Sequence, residues 1–250
     1  MASPPPASPP KPPAPKAPAP PPLVLIHGLG VVPQVWTLHA WRFRRAGREV
    51  HVFGYNSYGP GIPQIAERIA RRMAELGPGP LDVATHSMGG IVLRWAFNNH
   101  PIPRLRRVVM IGPPNRGASF ADFLDHRVPW LARPVLGDAF LQLRTGDLGL
   151  AARAGTLPGV EVGVIAGGRG QPRGLNPFID GDNDRLVGVQ ETLLPGMKDF
   201  LLVRADHTWQ LVSPKVSRAV LHFLDHGRFP HGAEPKPRAA RAPAAEGPAA

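Results

Sequence analysis

Two apolar rhythms run through this chain. Short continuous runs at residues 23–26, 49–53 and 81–84 read as buried parallel strands, because a strand covered on both faces keeps no polar side. Further runs at residues 107–111, 160–166 and 200–203 continue the series. Between them lie segments with helical spacing. In residues 62–76, Ile65, Ile69, Met73 and Leu76 recur every three or four positions while Glu67, Arg68, Arg71 and Arg72 turn outward, which predicts a helix with one face on a sheet. Residues 33–46 predict another, with Val35, Leu38 and Trp41 on one stripe and Arg42, Arg44 and Arg45 near the C-terminal end, where positive charge suits the macrodipole. Ser213-Pro214 opens a last helix whose Val216, Val220, Phe223 and Leu224 share a stripe. Strands and helices alternating at this spacing predict an α/β fold, with a mostly parallel sheet and helices on both of its faces.

The rhythm lapses after residue 117. Residues 118–158 carry Phe120, Phe123, Leu124, Trp130, Leu131, Val135, Leu136 and Phe140, broken by Pro129, Pro134 and Gly137. That apolar density exceeds what a connecting loop needs, so short helices forming a small cap over a pocket are expected, with Phe123 and Trp130 influencing what the pocket accepts. The two ends are different again. Residues 1–22 and 231–250 are dominated by Pro and Ala, with Lys and Arg among them, and cannot bury enough apolar surface to repay ordering. They are expected to be disordered tails flanking one domain at residues 23–230.

Composition narrows the chemistry. There is no cysteine, so disulfides and thiolate metal sites are excluded. The formal net charge of +11 raises nucleic acid or anionic lipid as partners. Basic residues are scattered, however, with no run longer than two and no nucleic-acid motif, so a solvated basic surface without a nucleic-acid partner is expected. Peripheral contact with anionic lipid stays open. No apolar run is long enough to span a bilayer, and proline interrupts every stretch before Leu23 that could act as a secretory signal, which makes cytoplasmic the default expectation.

The stretch T-H-S-M-G-G at residues 85–90 joins a predicted strand to a predicted helix. A serine at such a turn is a nucleophile elbow: the strained backbone lifts the Ser87 hydroxyl clear of the sheet, and Gly89 and Gly90 supply the small neighbours it needs. Thr85 stands where the G-x-S-x-G pattern has its first glycine. A base is available among the ten histidines. His207 lies between the last strand and the last helix, at the same carboxyl edge as Ser87, and can reach a serine hydroxyl. The loop holding Asp180, Asp182 and Asp184 offers a carboxylate to orient the imidazole, and Asp206 is a rival that its place beside His207 disfavours. With Glu191 the same loop has the spacing of a calcium-binding EF-hand, yet Arg185 replaces the required glycine and residues 175–178 are not helical.

Four segments, L-V-L-I-H-G-L-G, T-H-S-M-G-G, N-D-R-L-V-G and A-D-H-T-W, occur in this order over about residues 23–226. The arrangement resembles the α/β-hydrolase superfamily, and more narrowly bacterial triacylglycerol lipases and related esterases, which share the order Ser, Asp, His. The resemblance implies an α/β-hydrolase fold and an enzyme cleaving carboxylic esters through an acyl-enzyme. It makes Ser87 the nucleophile, His207 the base and acid, and Asp184 the orienting carboxylate, with the amides of Leu29 and Met88 as oxyanion hole. It implies a small-molecule or lipid ester as substrate, no cofactor and no metal. It says nothing of oligomeric state. Arg185 departs from the glycine these lipases usually carry after the acid. His27 and His86 are expected to be structural. Acyl transfer or amide hydrolysis would use the same residues, and a binding protein could share the fold without activity.

Overall fold

Strand parity divides the core in two. The apolar runs form β1 (Leu23–Ile26), β2 (Val50–Phe53), β3 (Leu81–His86), β4 (Leu105–Ile111), β5 (Glu161–Gly168) and β6 (Asp199–Arg204). All are parallel, in the order β2-β1-β3-β4-β5-β6, in a computed structural model that describes residues 19–231. The expected tails, residues 1–22 and 231–250, lie outside the described residues except at their inner ends. The helices are α1 (Thr37–Arg45), α2 (Ile62–Ala74), α3 (Gly89–Asn99), α4 (Ser119–Arg127), α5 (Pro129–Leu141) and α6 (Pro214–His226). Val24 and Ile26 of β1 pack with α2 and α3, while Leu23 and Leu25 pack on the other face with Phe43 of α1 and Val216, Val220 and Phe223 of α6. Successive side chains point to opposite faces. Since both faces are covered, β1 is apolar at every position rather than at alternate ones.

The stripe expected for α1 is displaced. Its chain enters through a tighter 3-10 turn at Pro33–Trp36, and Trp36, Ala40 and Phe43 are buried while Leu38 and Trp41 are 45% and 56% exposed. A 3-10 turn winds with three residues per turn, so the face that meets the sheet is not the one an α-helical wheel through Val35 gives. In α2 and α6 the expected stripes are the buried ones, although Leu76 of the former lies beyond the helix end and is only half-buried.

Three features place the site. The chain runs from β1 outward to β2 and returns across β1 to β3, so the connections diverge at the carboxyl ends of β1 and β3 and open a crevice there. After β4 the chain inserts α4 and α5 before it resumes the sheet. Finally, Arg94 of α3 is buried without a carboxylate partner among the described residues; it donates to the carbonyls of Asn115 (3.0 Å), Ala151 (2.6 Å) and Gly155 (2.6 Å). Burial pulls its guanidinium down to about 10. Asn98, one turn later, donates to the carbonyls of Ala154 (3.0 Å) and Thr156 (2.8 Å), so α3 is fastened to the segment that follows α5. At the opposite, amino end of the sheet, Asp82 is fully buried between Arg48 (2.6 Å) and Arg106 (2.9 Å), and Arg48 also reaches Asp225. No helix among the described residues is long and apolar enough to cross a membrane.

Candidate active site

β3 ends at His86, and the chain turns at once into α3. Ser87 sits in that turn at φ 54°; among the described residues the only other non-glycine residue with positive φ is Arg185, at 90°. The Ser87 amide donates to the Ile111 carbonyl (2.9 Å), which pins the turn to the end of β4. The loop after β1 lies against it so closely that a Cβ on Gly28 would stand 2.8 Å from the Ser87 Cβ, a position only glycine can fill. Leu29 follows Gly28, and Met88 follows Ser87. Neither of their amides donates a hydrogen bond among the described residues.

The loop after β5 brings Asp184 to the loop after β6. Asp184 is fully buried, and its Oδ2 accepts from His207 Nδ1 (2.7 Å) and from Gln210 Nε2 (2.8 Å). Its Oδ1 accepts from the amides of Leu186 (3.1 Å) and Val187 (2.9 Å). A carboxylate oxygen accepts, so Nδ1 of His207 is the donor in that contact. Gly112, at the end of β4, closes the arrangement from below: a Cβ there would lie 3.2 Å from the His207 ring and 3.3 Å from Asp184 Oδ2. The other aspartates are elsewhere. Asp182 accepts from the amides of Arg169 (2.8 Å) and Gly170 (2.7 Å), Asp206 accepts from those of Thr208 (3.0 Å) and Trp209 (2.8 Å), and Asp180 is exposed. No cluster of three or more metal-ligating side chains occurs among the described residues.

Two further histidines border the site. His27 stacks on Tyr55 at 4.1 Å; its Nδ1 meets the Gly28 carbonyl (2.9 Å) and its Nε2 accepts from the Tyr55 amide (3.2 Å). His86 donates from Nε2 to the His207 carbonyl (3.1 Å), and its Nδ1 has no partner among the described residues. Burial lowers the pKa of both, and for His86 the neighbouring His207 adds to the effect. They are neutral parts of the framework.

Gln210 was not visible in the sequence as part of this site. It is fully buried in the short 3-10 turn Trp209–Leu211, and its carbonyl accepts from His39 Nε2 (3.0 Å), whose Nδ1 in turn accepts from Ser217 Oγ (2.8 Å). Burial holds His39 at about 4, so this relay is uncharged at neutral pH. Gln210 and His39 are 171 residues apart, and no local spacing announces such a pair.

Ser87 and His207 open into a cavity of about 230 Å³, walled by Ala121 and Leu124 of α4, Phe140 and Leu143 around the end of α5, and Leu186 and Leu211. The inserted segment thus supplies much of the apolar wall. Its two large candidates are not among the lining residues: Phe123 stacks on Phe120 (5.9 Å) and Phe178 (4.8 Å), and Trp130 is 74% exposed. The side chains of residues 131–136 lie outside the described residues.

No protein-family model and no curated protein sequence matches the chain. Solved structures do match. The mature Bacillus licheniformis lipase BlEst2 is 20% identical, with 83% of this chain and 92% of that one covered at a TM-score of 0.62. A carboxylesterase structure from Nitrososphaera gargenis is 17% identical, with 83% and 91% covered at 0.57. An extracellular alpha/beta-hydrolase from a Paenibacillus species is 17% identical, with 82% and 98% covered at 0.53. At these identities the likeness is one of fold.

Proposed function

We propose that this chain, which has the α/β-hydrolase fold, is a serine hydrolase that cleaves carboxylic esters, in the manner of lipases and esterases. Ser87 Oγ attacks the ester carbonyl carbon while His207 Nε2 takes its proton. The resulting oxyanion accepts from the amides of Leu29 and Met88, donors that would each be worth roughly 10²–10³ in rate. Collapse breaks the bond to the alcohol oxygen, and His207 returns the proton to that oxygen. Water then attacks the acyl-Ser87 carbonyl with His207 again as base, releasing the acid and restoring the hydroxyl. Throughout, Asp184 holds the imidazole in its Nδ1–H tautomer and stabilises the imidazolium.

The observation that carries this reading is the 2.7 Å contact of His207 Nδ1 with a fully buried Asp184, in a ring that shares its cavity with a serine at φ 54°. The apolar wall supports an acyl chain as the group bound there, and the inserted segment at residues 118–158 acts as the cap over it. The same neighbours that carry lipase and esterase names support the class of chemistry.

A fluorophosphonate probe is expected to label Ser87, found by mass of the tryptic peptide, and a series of p-nitrophenyl esters of rising acyl length to be hydrolysed by wild type but not by Ser87→Ala. A folded protein that neither reacts with the probe nor turns over any ester of the series would overturn the proposal.

A further inference from the structure

Beside the catalytic cavity lies a second groove of a different character. It is lined by Arg169, Arg185, Arg204, Asp206 and Trp209, among others. All three guanidiniums are exposed, and none has a carboxylate, carbonyl or ring partner among the described residues. Asp206 is the one acid in the lining, and its Oδ1 already accepts from two amides; Asp182, which accepts from the amides of Arg169 and Gly170, stands close behind Gly168 of the groove. The groove therefore has three uncommitted positive charges against two carboxylates that are both engaged by backbone donors.

Its position relative to the reacting atoms is fixed by chain neighbours. Leu186 and Thr208 line the cavity, while Arg185 and Trp209, next to them in sequence, line the groove, so these two residue pairs form the divide. His207 must stand on the side of the departing alcohol, because it delivers the proton to that oxygen. Asp206 and Trp209, on either side of His207 and Thr208, face the groove. The groove therefore lies across the Leu186 and Thr208 divide from the cavity, next to the histidine that faces the departing alcohol. Arg185 adds an independent sign. It holds a left-handed backbone, at φ 90°, that L side chains adopt at a cost, supported by Asn183 Oδ1 on its amide (3.2 Å) and Asn176 Nδ2 on its carbonyl (2.7 Å). Glycine would sit there without strain.

We propose that this groove holds an anionic group, a carboxylate or a phosphate, carried by the alcohol part of the ester, which makes esters of anionic alcohols the favoured substrate class. The inference rests on the ester-hydrolase reading above. The exposed ring of Trp209 gives an aromatic alcohol a surface to lie on before its charge meets the arginines.

The test compares 4-carboxyphenyl butanoate with its neutral partner 4-carbamoylphenyl butanoate, both soluble, so that binding to a lipid interface cannot contribute. Wild type is expected to show about a tenfold higher kcat/KM for the anionic ester at low salt, with the preference falling as ionic strength rises. In the triple variant Arg169→Gln, Arg185→Gly, Arg204→Gln the ratio is expected to fall to near one. Because the readout is a ratio, loss of folded enzyme lowers both rates alike. A second arm uses vesicles: if anionic headgroups alone were recognised, phosphatidylglycerol vesicles would be cleaved in preference to phosphatidylcholine while the soluble pair gave equal rates, and that result overturns the proposal. Equal cleavage of the soluble esters by wild type, or a preference that survives in the triple variant, overturns it too. Cleavage of neither ester would instead sink the hydrolase reading, and this inference with it.

Discussion

Asp82 and Asp184 are both wholly buried, one toward each edge of the same sheet, and their surroundings differ in kind. Asp82 faces two guanidiniums, and with Asp225 on Arg48 the cluster holds full charges of both signs. Asp184 meets no such charge. Its four donors are two backbone amides, a carboxamide and an imidazole. A carboxylate paired with guanidinium has already realised its attraction in the resting protein. One held by neutral dipoles would, on the proposed mechanism, still have its strongest interaction to gain when the imidazole takes up a proton. On that mechanism, the amino-end cluster would contribute to the folded state and the carboxyl-edge group to a state that exists only during turnover.

The sharpest way to break this comparison is to neutralise each acid in turn. Asp184→Asn is expected to lower kcat by about 10⁴-fold, because the histidine loses the partner that sets its tautomer, with the urea midpoint little changed. Asp82→Asn is expected to do the reverse: buried Arg48 keeps only the half-exposed Asp225 as a carboxylate partner, which should cost about 3 kcal/mol of unfolding free energy, while kcat on a soluble ester stays within a few-fold. Two variants that lose rate to the same degree would erase the distinction.

His39, whose Nε2 meets the Gln210 carbonyl, is held by burial at about 4 against an ordinary 6.5. Between those values the unfolded chain binds the extra proton and the folded one does not, so stability is full at neutral pH and falls as the pH drops through that window. The loss from this group reaches about 3 kcal/mol near pH 4. Urea unfolding of wild type against His39→Gln from pH 7 to pH 4 should show the acid-side slope reduced in the variant. The smallest effect is expected from Gln210→Leu. Removing one neutral donor leaves Asp184 with the remaining three, so kcat should fall by about tenfold or less, a loss the size of a single hydrogen bond.

Legibility in the sequence followed the range of the forces involved. β1 and β3, α2 and α6 were readable because burial on one or two faces imprints a period on neighbouring residues. Along α1 the same logic chose Val35, Leu38 and Trp41, since the chain offers two interleaved apolar stripes and the 3-10 entry that selects Trp36, Ala40 and Phe43 leaves no local mark. Ser87, His207 and an acid in the loop of Asp180, Asp182 and Asp184 could be named as candidates from chain order and strand ends, and the resemblance to lipases chose Asp184 among the three. The geometry brings His207 and Asp184 into contact, but Gln210 and His39 were out of reach, because a buried polar group is explained only by a partner from a distant part of the chain. The left-handed turn at Arg185 was hidden for a simpler reason: glycine is the residue that signals such a backbone, and arginine does not.

The Arg94 clamp has a consequence for how the protein comes into being. Its acceptors include the carbonyl of Gly155, 61 residues further along the chain. While the protein is being made, β3 and α3 emerge well before those carbonyls, and a guanidinium facing an apolar interior without acceptors keeps water beside it. The native setting of Arg94, in the helix after Ser87, is therefore complete only once the segment that ends near residue 155 has been synthesised. A nascent chain halted before residue 155 would carry the serine turn without the finished setting that the native chain gives it.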